Sequence, residues 1–335
     1  MFCVRNWLRE DKDMKKIMVM APSKSLSVIS NDTKKNAINK LNSIGYEVIF
    51  SKNVYKNQLY YCCGSVDDRV EDLNEAFSSN VDVILSAIGG YNSNQLLPYI
   101  DYSLIKNNPK IICGFSDVTA ILVAIYAKTG IITYYGPHFS SFGMIYGIDY
   151  TVNYFLKAIN GESIIIESSQ YYRDDPWYMN QSEVNKIKNY GLKIINKGVA
   201  EGVILGGNLN TLNLLQGTEY MPHLEKIILF IEDSGGEDGN FLLEFDRNLE
   251  SLLQSEIGSS IKGIVIGICQ NVSNMNVKKW KLLVKNKKML NKIPILVDAN
   301  FGHTTPIFTF PIGGYARIEA FNVPKIIIGR SENEL

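Results

Sequence analysis

Ser116 is the residue whose type and setting first suggest covalent chemistry. It stands in the segment ICGFSDVTA, between an apolar run typical of a buried strand and a run with helical spacing. A serine is a nucleophile when a base removes its proton and its oxygen projects from the surface, and a sharp strand-to-helix turn provides that projection. The first amides of the helix can stabilise an oxyanion. Because the segment reads G-F-S-D rather than G-x-S-x-G, a helix cap formed by Ser116 or Asp117 is the alternative interpretation.

Three histidines could serve as the base, namely His138, His223 and His303. Histidine is the usual general base near neutral pH. His303 lies in NFGHTTP, an irregular loop that can present a side chain, and His138 follows a strand in the first half and could line the same cleft. His223 follows Met-Pro and is predicted at the surface. A purely structural role is the alternative for each.

Three further features could complete a site. Glu232 ends the strand-like run KIILFIED and could orient a histidine, although an acidic turn has the same composition. Gly89-Gly90 closes another strand and lets backbone N–H groups approach a ligand, unless it forms only a tight turn. Trp177, in the polar loop DDPWY, could stack on a flat ligand group or pack against a domain edge.

Composition excludes several classes of function. The 335 residues include 34 Lys+Arg and 34 Asp+Glu, so the charge balance favours neither a nucleic-acid nor a membrane-surface partner. The five cysteines lack C-x-x-C spacing, and neither H-E-x-x-H nor a phosphate-binding glycine motif is present, which predicts no metal and no nucleotide cofactor. Without an apolar run of about 18 residues or a signal sequence, the cytoplasm is the expected location, and the residues before Met14 are interpreted as a short extension.

The first half of the chain predicts the elements that position these residues. Strand-like runs alternate with helical ones, which indicates crossover connections and a mostly parallel sheet. The predicted strands are 16–22, 46–50, 81–88, 110–114 and 131–135, and the predicted helices are 32–44, 67–77 and 117–127. Ligands bind at the carboxyl ends of such strands, where Gly89, Gly90 and Ser116 fall.

The second half is richer in short β-type runs. These are 202–205, 226–231, 263–268, 295–297 and 325–328, with one helical run over 242–253. We therefore predict an α/β protein with a Rossmann-like N-terminal domain over 14–160 and a smaller β-rich domain over 196–335. Residues 161–195 are predicted as a linker and substrate loop.

Taken together and in this order, the segments resemble the S66 serine peptidases, the LD-carboxypeptidase family. The resemblance is closest to the MccF-like branch of microcin C7 immunity peptidases, and it extends from about residue 16 to 320. It rests on DDRVEDLNEAF, VDVILSAIGGYNSNQLLPYID, ICGFSDVTAIL, GPHF, ILGGNLNTLNLLQGTEY, ILFIEDSGGE, FDRNLESLL and NFGHTTPIFTFPIGG.

The resemblance implies a Ser-Glu-His triad with Ser116 as nucleophile, Glu232 as orienting carboxylate and His303 as base. It implies an oxyanion hole made by the N–H groups of Gly90 and Asp117. It also implies a homodimer with no cofactor or metal.

Substrate assignment leaves alternatives open. Members of the MccF-like branch cleave the amide of aminoacyl-nucleotide analogues, and this branch implies a substrate site at Gly89, Asn92, Trp177 and Asn208. Other members release a terminal D-amino acid from murein tetrapeptides. Cys269-Gln270 stands where the resemblance leads us to expect other polar substrate contacts. A non-catalytic binding protein that retains the cleft is an alternative of a different class.

Overall fold

The computed structural model describes residues 14–58, 60, 62–179, 181–182, 184–235 and 240–329. The proposed extension before Met14 lies outside the described residues. Two large β-sheets, each flanked by helices, make up the fold. A separate two-stranded sheet is also present.

The first sheet has six strands and carries the segments predicted for the N-terminal half. Five of its strands run parallel, and the sixth, contributed by the C-terminal part of the chain, pairs antiparallel with β5 at the edge. The spatial order is β14-β5-β4-β3-β1-β2. The strands are β1 (Lys15–Met20), β2 (Tyr46–Phe50), β3 (Val83–Ser86), β4 (Ile111–Gly114), β5 (Thr133–Tyr135) and β14 (Phe310–Ile312).

The second sheet has eight strands, in the order β6-β16-β15-β10-β11-β12-β13-β9. Its central four strands, β10 to β13, are parallel, and the outer strands are antiparallel. The strands are β6 (Ile164–Ile165), β9 (Lys193–Asn196), β10 (Gly198–Asn208), β11 (Ile227–Glu232), β12 (Ile261–Gly267), β13 (Ile295–Ala299), β15 (Tyr315–Ala320) and β16 (Lys325–Ile328). The separate hairpin pairs β7 (Tyr171–Tyr172) with β8 (Ile187–Lys188).

Eight α-helices are found among the described residues, and local sequence explains where several begin and end. Helix α2 begins at a capping box, in which the side chains of Ser65 and Asp68 each accept a hydrogen bond from the other residue's backbone N–H. Helix α4 ends at Gly130, whose φ of 76° is the left-handed conformation that glycine adopts at low cost. The helices are α1 (Asn31–Ser43), α2 (Val66–Ser78), α3 (Tyr102–Asn107), α4 (Thr119–Thr129), α5 (Asp149–Ile159), α6 (Leu209–Asn213), α7 (Phe241–Gln254) and α8 (Val277–Lys285).

A shared apolar core joins the two sheets behind the cleft. The Tyr135 ring, at the end of β5, stacks on Phe310 with ring centroids 4.9 Å apart, and Phe310 lies 4.9 Å from Phe230 of β11. All three side chains are fully buried. Because aromatic packing of this density resists displacement, the ends of β5 and β11 are held in a fixed relation.

The predicted α/β class, with a mostly parallel sheet in the N-terminal part and a second sheet after it, is confirmed by this architecture. Several predicted bounds differ from the structure. The strand predicted over 81–88 ends at Ser86, and the helix predicted from 117 starts as a 3₁₀ turn at Ser116–Val118 before α4.

Neither a membrane span nor a metal cluster is found in the part of the chain that the structure describes. No helix there is both long and apolar enough to cross a bilayer. Among the same residues, no group of three or more His, Cys, Asp or Glu side chains is placed to hold a metal ion.

Gly206 provides a test of how tightly the second sheet is packed. Its φ is 154°, and a Cβ added there would lie 1.7 Å from the backbone oxygen of Phe230. We expect Gly206→Ala to lower the free energy of unfolding by about 3 kcal/mol or more, because backbone of the neighbouring strand must move. Urea unfolding measures this loss.

Gly217→Ala is the matched control. Gly217 also has a positive φ, 72°, but a Cβ there meets nothing within 4 Å. Its cost should be about 1 kcal/mol, the backbone penalty alone. Equal losses in the two variants would contradict the packing argument.

Candidate active site

Ser116 occupies a strained turn between β4 and α4. Its φ is 58°, a left-handed conformation that few non-glycine residues adopt. Two hydrogen bonds hold this turn: the Ser116 N–H donates to the Tyr135 hydroxyl at 3.2 Å, and the Thr119 hydroxyl donates to the Ser116 carbonyl at 2.6 Å. Strain of this kind persists only where surrounding contacts enforce it, and it is common at functional sites.

The His303 ring lies between Ser116 and Glu232. Its Nε2 is 3.1 Å from Ser116 Oγ, and its Nδ1 is 2.7 Å from Glu232 Oε2. The preceding Gly302 has a φ of 102°, and a Cβ there would lie 2.6 Å from Glu232 Oε2. Glycine at this position therefore allows the histidine loop to approach the carboxylate.

Glu232 is a buried carboxylate with partners on both oxygens. It is the last residue of β11 and is only 3% exposed. Its Oε1 accepts a hydrogen bond from the Tyr135 hydroxyl at 2.6 Å and one from Asn208 Nδ2 at 3.3 Å, while Oε2 faces His303. Pairing of this kind offsets the cost of burying the charge.

The charges of the site raise the pKa of His303 and lower the pKa of Glu232. Burial alone would lower the pKa of His303, but the charge and hydrogen bond of Glu232, together with the Asp233 charge, raise it above its usual value. Burial alone would raise the pKa of Glu232, but His303 and the hydrogen bonds from Tyr135 and Asn208 lower it. Glu232 is therefore ionised, and its negative charge stabilises a protonated His303.

Asp233, beside this pair, behaves differently. Burial and the neighbouring charge of Glu232 raise the pKa of Asp233 to about 6. Its Oδ1 accepts hydrogen bonds from Asn208 Nδ2 at 3.0 Å and from the Ser234 N–H at 2.9 Å. The Asp233 carboxyl group therefore lies beside Glu232 but does not form a hydrogen bond with His303.

The Asp117 carboxylate ties the nucleophile turn to the glycine segment. It accepts hydrogen bonds from the Ser23 hydroxyl at 2.6 Å and from the backbone N–H groups of Asn92 and Ser93 at 3.0 and 2.9 Å. A Cβ at Gly89 would lie 3.2 Å from Ser116 Oγ, and one at Gly90 would lie 2.0 Å from Ser23 Oγ. Gly89 thus lies tightly against Ser116, and Gly90 lies against Ser23, where a side chain would not fit without a shift.

A cavity of about 920 Å³ opens over these residues. Ser116, Asp117, Gly89, Gly90 and His303 line it. Its volume is within the range of sites that hold a drug-sized ligand. The cavity also lies at the carboxyl ends of the parallel strands, as the sequence predicts for the ligand site.

The other predicted substrate residues have different positions. Trp177 and Asn208 line the cavity. The Asn208 side chain is nonetheless engaged, because it donates to Glu232 and Asp233 and caps α6 through the Thr211 N–H. Asn92 does not line the cavity; it is buried, and its amide donates to Cys63 Sγ at 3.1 Å.

The loop that carries Trp177 is anchored by hydrogen bonds at two nearby residues, Arg173 and Asp174. The Arg173 backbone pairs with Thr305, two residues after His303, through hydrogen bonds of 2.7 and 2.9 Å. The Asp174 carboxylate accepts from the backbone N–H and the amide of Asn271. Gln270, which the sequence marked as a departure from the family pattern, lines the cavity and accepts from the Gly235 N–H.

Sequence reasoning missed Tyr135, which links Ser116 to Glu232. The available signal was its position as the last residue of a predicted strand, at the same sheet edge as Ser116. Of the other two histidines, His223 is exposed and 3.3 Å from Glu256, whereas His138 is buried at the cavity wall.

Comparison with known proteins agrees with this architecture. The family model of the LD-carboxypeptidase N-terminal domain matches residues 17–136, and that of the C-terminal domain matches residues 201–318. The crystal structure of an MccF-like protein from Bacillus anthracis has a TM-score of 0.92 and 45% identity, covering 96% of this chain and 98% of that chain.

Relatives with named substrates are more distant. The microcin C7 self-immunity protein MccF of Escherichia coli is 33% identical over 280 residues, 80% of each chain. A structure of MccF in complex with aspartyl sulfamoyl adenosine has a TM-score of 0.82 at 30% identity and covers 95% of this chain and 96% of that one. The murein tetrapeptide carboxypeptidase of Pseudomonas aeruginosa is 25% identical over 256 residues, 75% of this chain and 76% of its own length.

The two family models together match well over half of the sequence, including most strands of both large sheets. The resemblance predicted from the sequence is therefore confirmed. The chain belongs to the LD-carboxypeptidase family, the S66 serine peptidases, and is a serine hydrolase.

Proposed function

We propose that this protein hydrolyses the amide of peptidyl- or aminoacyl-nucleotide compounds with Ser116 as nucleophile, His303 as base and Glu232 as orienting carboxylate. The observation that carries this proposal is the continuous chain of contacts from Ser116 Oγ to His303 Nε2 and from His303 Nδ1 to Glu232 Oε2, at 3.1 and 2.7 Å. The chain opens into a ligand-sized cavity. A cytoplasmic location, expected from the sequence, and a homodimer, which the family resemblance implies, complete the proposal.

The reaction follows from the positions of these groups. His303 Nε2 takes the proton of Ser116 Oγ as the oxygen bonds to the amide carbon, and Glu232 stabilises the imidazolium that forms. His303 then gives this proton to the leaving nitrogen, and the C–N bond breaks. Water, deprotonated by the same histidine, hydrolyses the resulting ester and restores Ser116.

Two backbone N–H groups are proposed to bind the oxyanion, those of Gly90 and Asp117. The Ser23 hydroxyl and the Asp117 carboxylate connect their segments, which supports a fixed relation between the two donors. Each such donor contributes roughly 3–4 kcal/mol to lowering the barrier.

Tyr135 is proposed as a positioning residue in this mechanism. It accepts from the Ser116 N–H and donates to Glu232, so one hydroxyl fixes both the nucleophile turn and the carboxylate. Its hydrogen bonds go to Ser116 and Glu232 rather than to His303. Because its side chain is fully buried, a substrate does not contact it.

The nucleotide part of the substrate is proposed from the cavity wall. Trp177 is half-buried there, and its loop is anchored by Asp174 and Arg173, so the indole can present a face to a base. MccF, which shares this fold, binds an aminoacyl sulfamoyl nucleoside. These two facts favour a nucleotide conjugate over a murein peptide.

The deciding experiment compares hydrolysis of aspartyl sulfamoyl adenosine with that of a murein tetrapeptide ending in D-Ala. We expect wild-type protein to cleave the nucleotide conjugate, and Ser116→Ala to lose at least about 10⁴-fold in kcat because the nucleophile is removed. Chromatographic detection of released aspartate and D-Ala measures both reactions.

Trp177→Ala should raise KM for the conjugate, whereas Tyr190→Ala, a change at an exposed aromatic residue outside the cavity wall, serves as the matched control and should leave KM unchanged. Cleavage of the tetrapeptide alone would replace the nucleotide proposal with murein hydrolysis. Cleavage of neither compound would contradict both.

Glu232→Gln tests the electrostatic role of the carboxylate. His303 must be neutral to accept a proton, so kcat/KM rises with pH through its pKa, which the Glu232 charge and hydrogen bond hold above the usual value for histidine. Removing the charge lowers that pKa, so we expect the acidic limb of the pH–rate profile to move to lower pH. The maximal kcat should also fall by about 10²-fold or more.

Asp233→Asn should move the limb in the same direction but less, because its charge is the smaller influence on His303. The measurement is kcat/KM across pH 4 to 9 for the three proteins. A limb that stays in place in Glu232→Gln would show that the carboxylate does not set the histidine pKa.

Tyr135→Phe tests positioning. The variant keeps the aromatic packing but leaves the Ser116 N–H and Glu232 Oε1 each without one partner, so we expect kcat to fall about tenfold with KM nearly unchanged. Tyr134→Phe, one residue earlier on β5 and outside the cavity wall, is the control. A rise in KM with constant kcat would assign Tyr135 to substrate binding instead.

A further inference from the structure

His138 is a second histidine at the cavity that the proposed triad does not use. It follows β5, at the start of the 3₁₀ helix Phe139–Gly143, and it is only 2% exposed. Its ring stacks on Phe115, the residue before the nucleophile, with ring centroids 4.1 Å apart and planes inclined by 29°. This packing fixes the plane of the imidazole at the cavity wall.

The two ring nitrogens of His138 differ in their surroundings. Nδ1 is 2.5 Å from the hydroxyl oxygen of Ser86, the last residue of β3. Nε2 has no hydrogen-bond partner among the described residues, although it is buried. An unpaired buried nitrogen costs free energy, so a partner supplied by a ligand would be favoured.

The unpaired nitrogen faces the nucleophile. A Cβ built on Gly89 would lie 3.4 Å from His138 Nε2 and 3.2 Å from Ser116 Oγ, so both atoms flank the same point. Ser116 and His138 both line the cavity beside Gly89. A substrate group attacked by Ser116 therefore comes within reach of Nε2.

The imidazole of His138 is neutral and carries a single proton. Burial, and to a smaller extent the nearby His303, lower the pKa of His138 to about 3. Within the described part of the chain, the Ser86 hydroxyl has no hydrogen-bond partner other than Nδ1. When this hydroxyl donates to Nδ1, the ring proton resides on Nε2, the nitrogen that lies beside Gly89 at the cavity wall.

The acceptor for this proton follows from the chemistry of an amide. The amide nitrogen is a poor acceptor because its lone pair is delocalised, whereas the carbonyl oxygen accepts strongly and is bonded to the carbon that Oγ attacks. Its negative charge increases in the transition state, so a donor aimed at it lowers the barrier more than it strengthens binding.

We propose that His138 donates a hydrogen bond from Nε2 to the carbonyl oxygen under attack, as a third oxyanion donor beside the N–H groups of Gly90 and Asp117. This inference rests on the proposed serine mechanism. Ser86 is the positioning residue, because its hydroxyl sets which nitrogen carries the proton.

The test uses an alkyl fluorophosphonate, which phosphonylates an activated serine whatever amide the protein cleaves. Ser116 Oγ bonds to phosphorus, fluoride leaves, His303 takes the serine proton, and the phosphoryl oxygen occupies the oxyanion site. His138→Phe keeps the ring that stacks on Phe115 and removes the donor. We expect labelling about 10²-fold slower, the usual effect of losing one oxyanion donor.

His138→Gln places an amide N–H near the position of Nε2 and should recover about tenfold of that loss. His223→Phe, a change at the exposed histidine, is the matched control and should label at the wild-type rate. Intact-mass spectrometry measures the rates, and thermal unfolding verifies that each variant is folded. In amide turnover, the same loss should appear in kcat with KM nearly constant.

Three results would overturn the proposal. These are wild-type labelling rates in His138→Phe, equal slowing in His138→Phe and His138→Gln, and a wild-type protein that is not labelled at Ser116. Labelling of wild-type protein without cleavage of aspartyl sulfamoyl adenosine would refute the proposed substrate while leaving the His138 comparison decisive. The two failures are therefore distinguishable.

Discussion

A carboxylate can be buried only where every oxygen is paired, and Glu232 imposes this requirement on the whole site. Its partners come from three parts of the chain: Tyr135 at the end of β5, Asn208 at the end of β10 and His303 in the loop after β13. Since Tyr135 belongs to the first sheet, whereas Asn208 and Glu232 itself belong to the second, satisfying one carboxylate aligns the two sheets. The same tyrosine hydroxyl accepts from the Ser116 N–H, so this alignment also holds the strained nucleophile turn in place.

Close approach of backbone segments makes that pairing geometrically possible. Gly302 allows the histidine loop to lie against Glu232, and Gly207, whose Cβ would be 2.6 Å from Thr119 Oγ1, allows β10 to lie against the start of α4. Thr119 in turn donates to the Ser116 carbonyl and accepts from the Asn208 N–H. Small residues at these positions bring polar groups from distant elements within hydrogen-bond distance, and the aromatic rings behind them exclude water. The acidity of each group is then determined by its neighbours rather than by solvent.

Sequence alone predicted the parts of this molecule that depend on local pattern. The alternation of apolar runs and helices predicted the parallel strands of the first sheet, and strand ends marked Gly89, Gly90 and Ser116 as neighbours. The triad residues Ser116, Glu232 and His303 followed from family resemblance, because nothing in their local segments distinguishes them from caps and turns. The hydrogen bonds of Tyr135 and of the buried Asn92 amide were not predicted, since their partners lie far away in the sequence, and the position of Tyr135 at a strand end was the one local signal. Helix α8 was missed although Trp280, Leu283 and Val284 carry the i, i+3, i+4 spacing of its buried face.

The antiparallel pairing of β14 with β5 has a consequence for synthesis on the ribosome. Strand β5 is the last parallel strand of the sheet that bears the nucleophile, and residues 310–312 pair with its outer edge. While residues 310–312 are still inside the ribosome, a nascent chain presents unpaired N–H and C=O groups along β5. Such an edge can pair with a strand of another molecule. Phe310, stacked on Tyr135, arrives at the same moment. Chaperone protection during translation would therefore matter most in the interval between the emergence of the first sheet and that of its final strand.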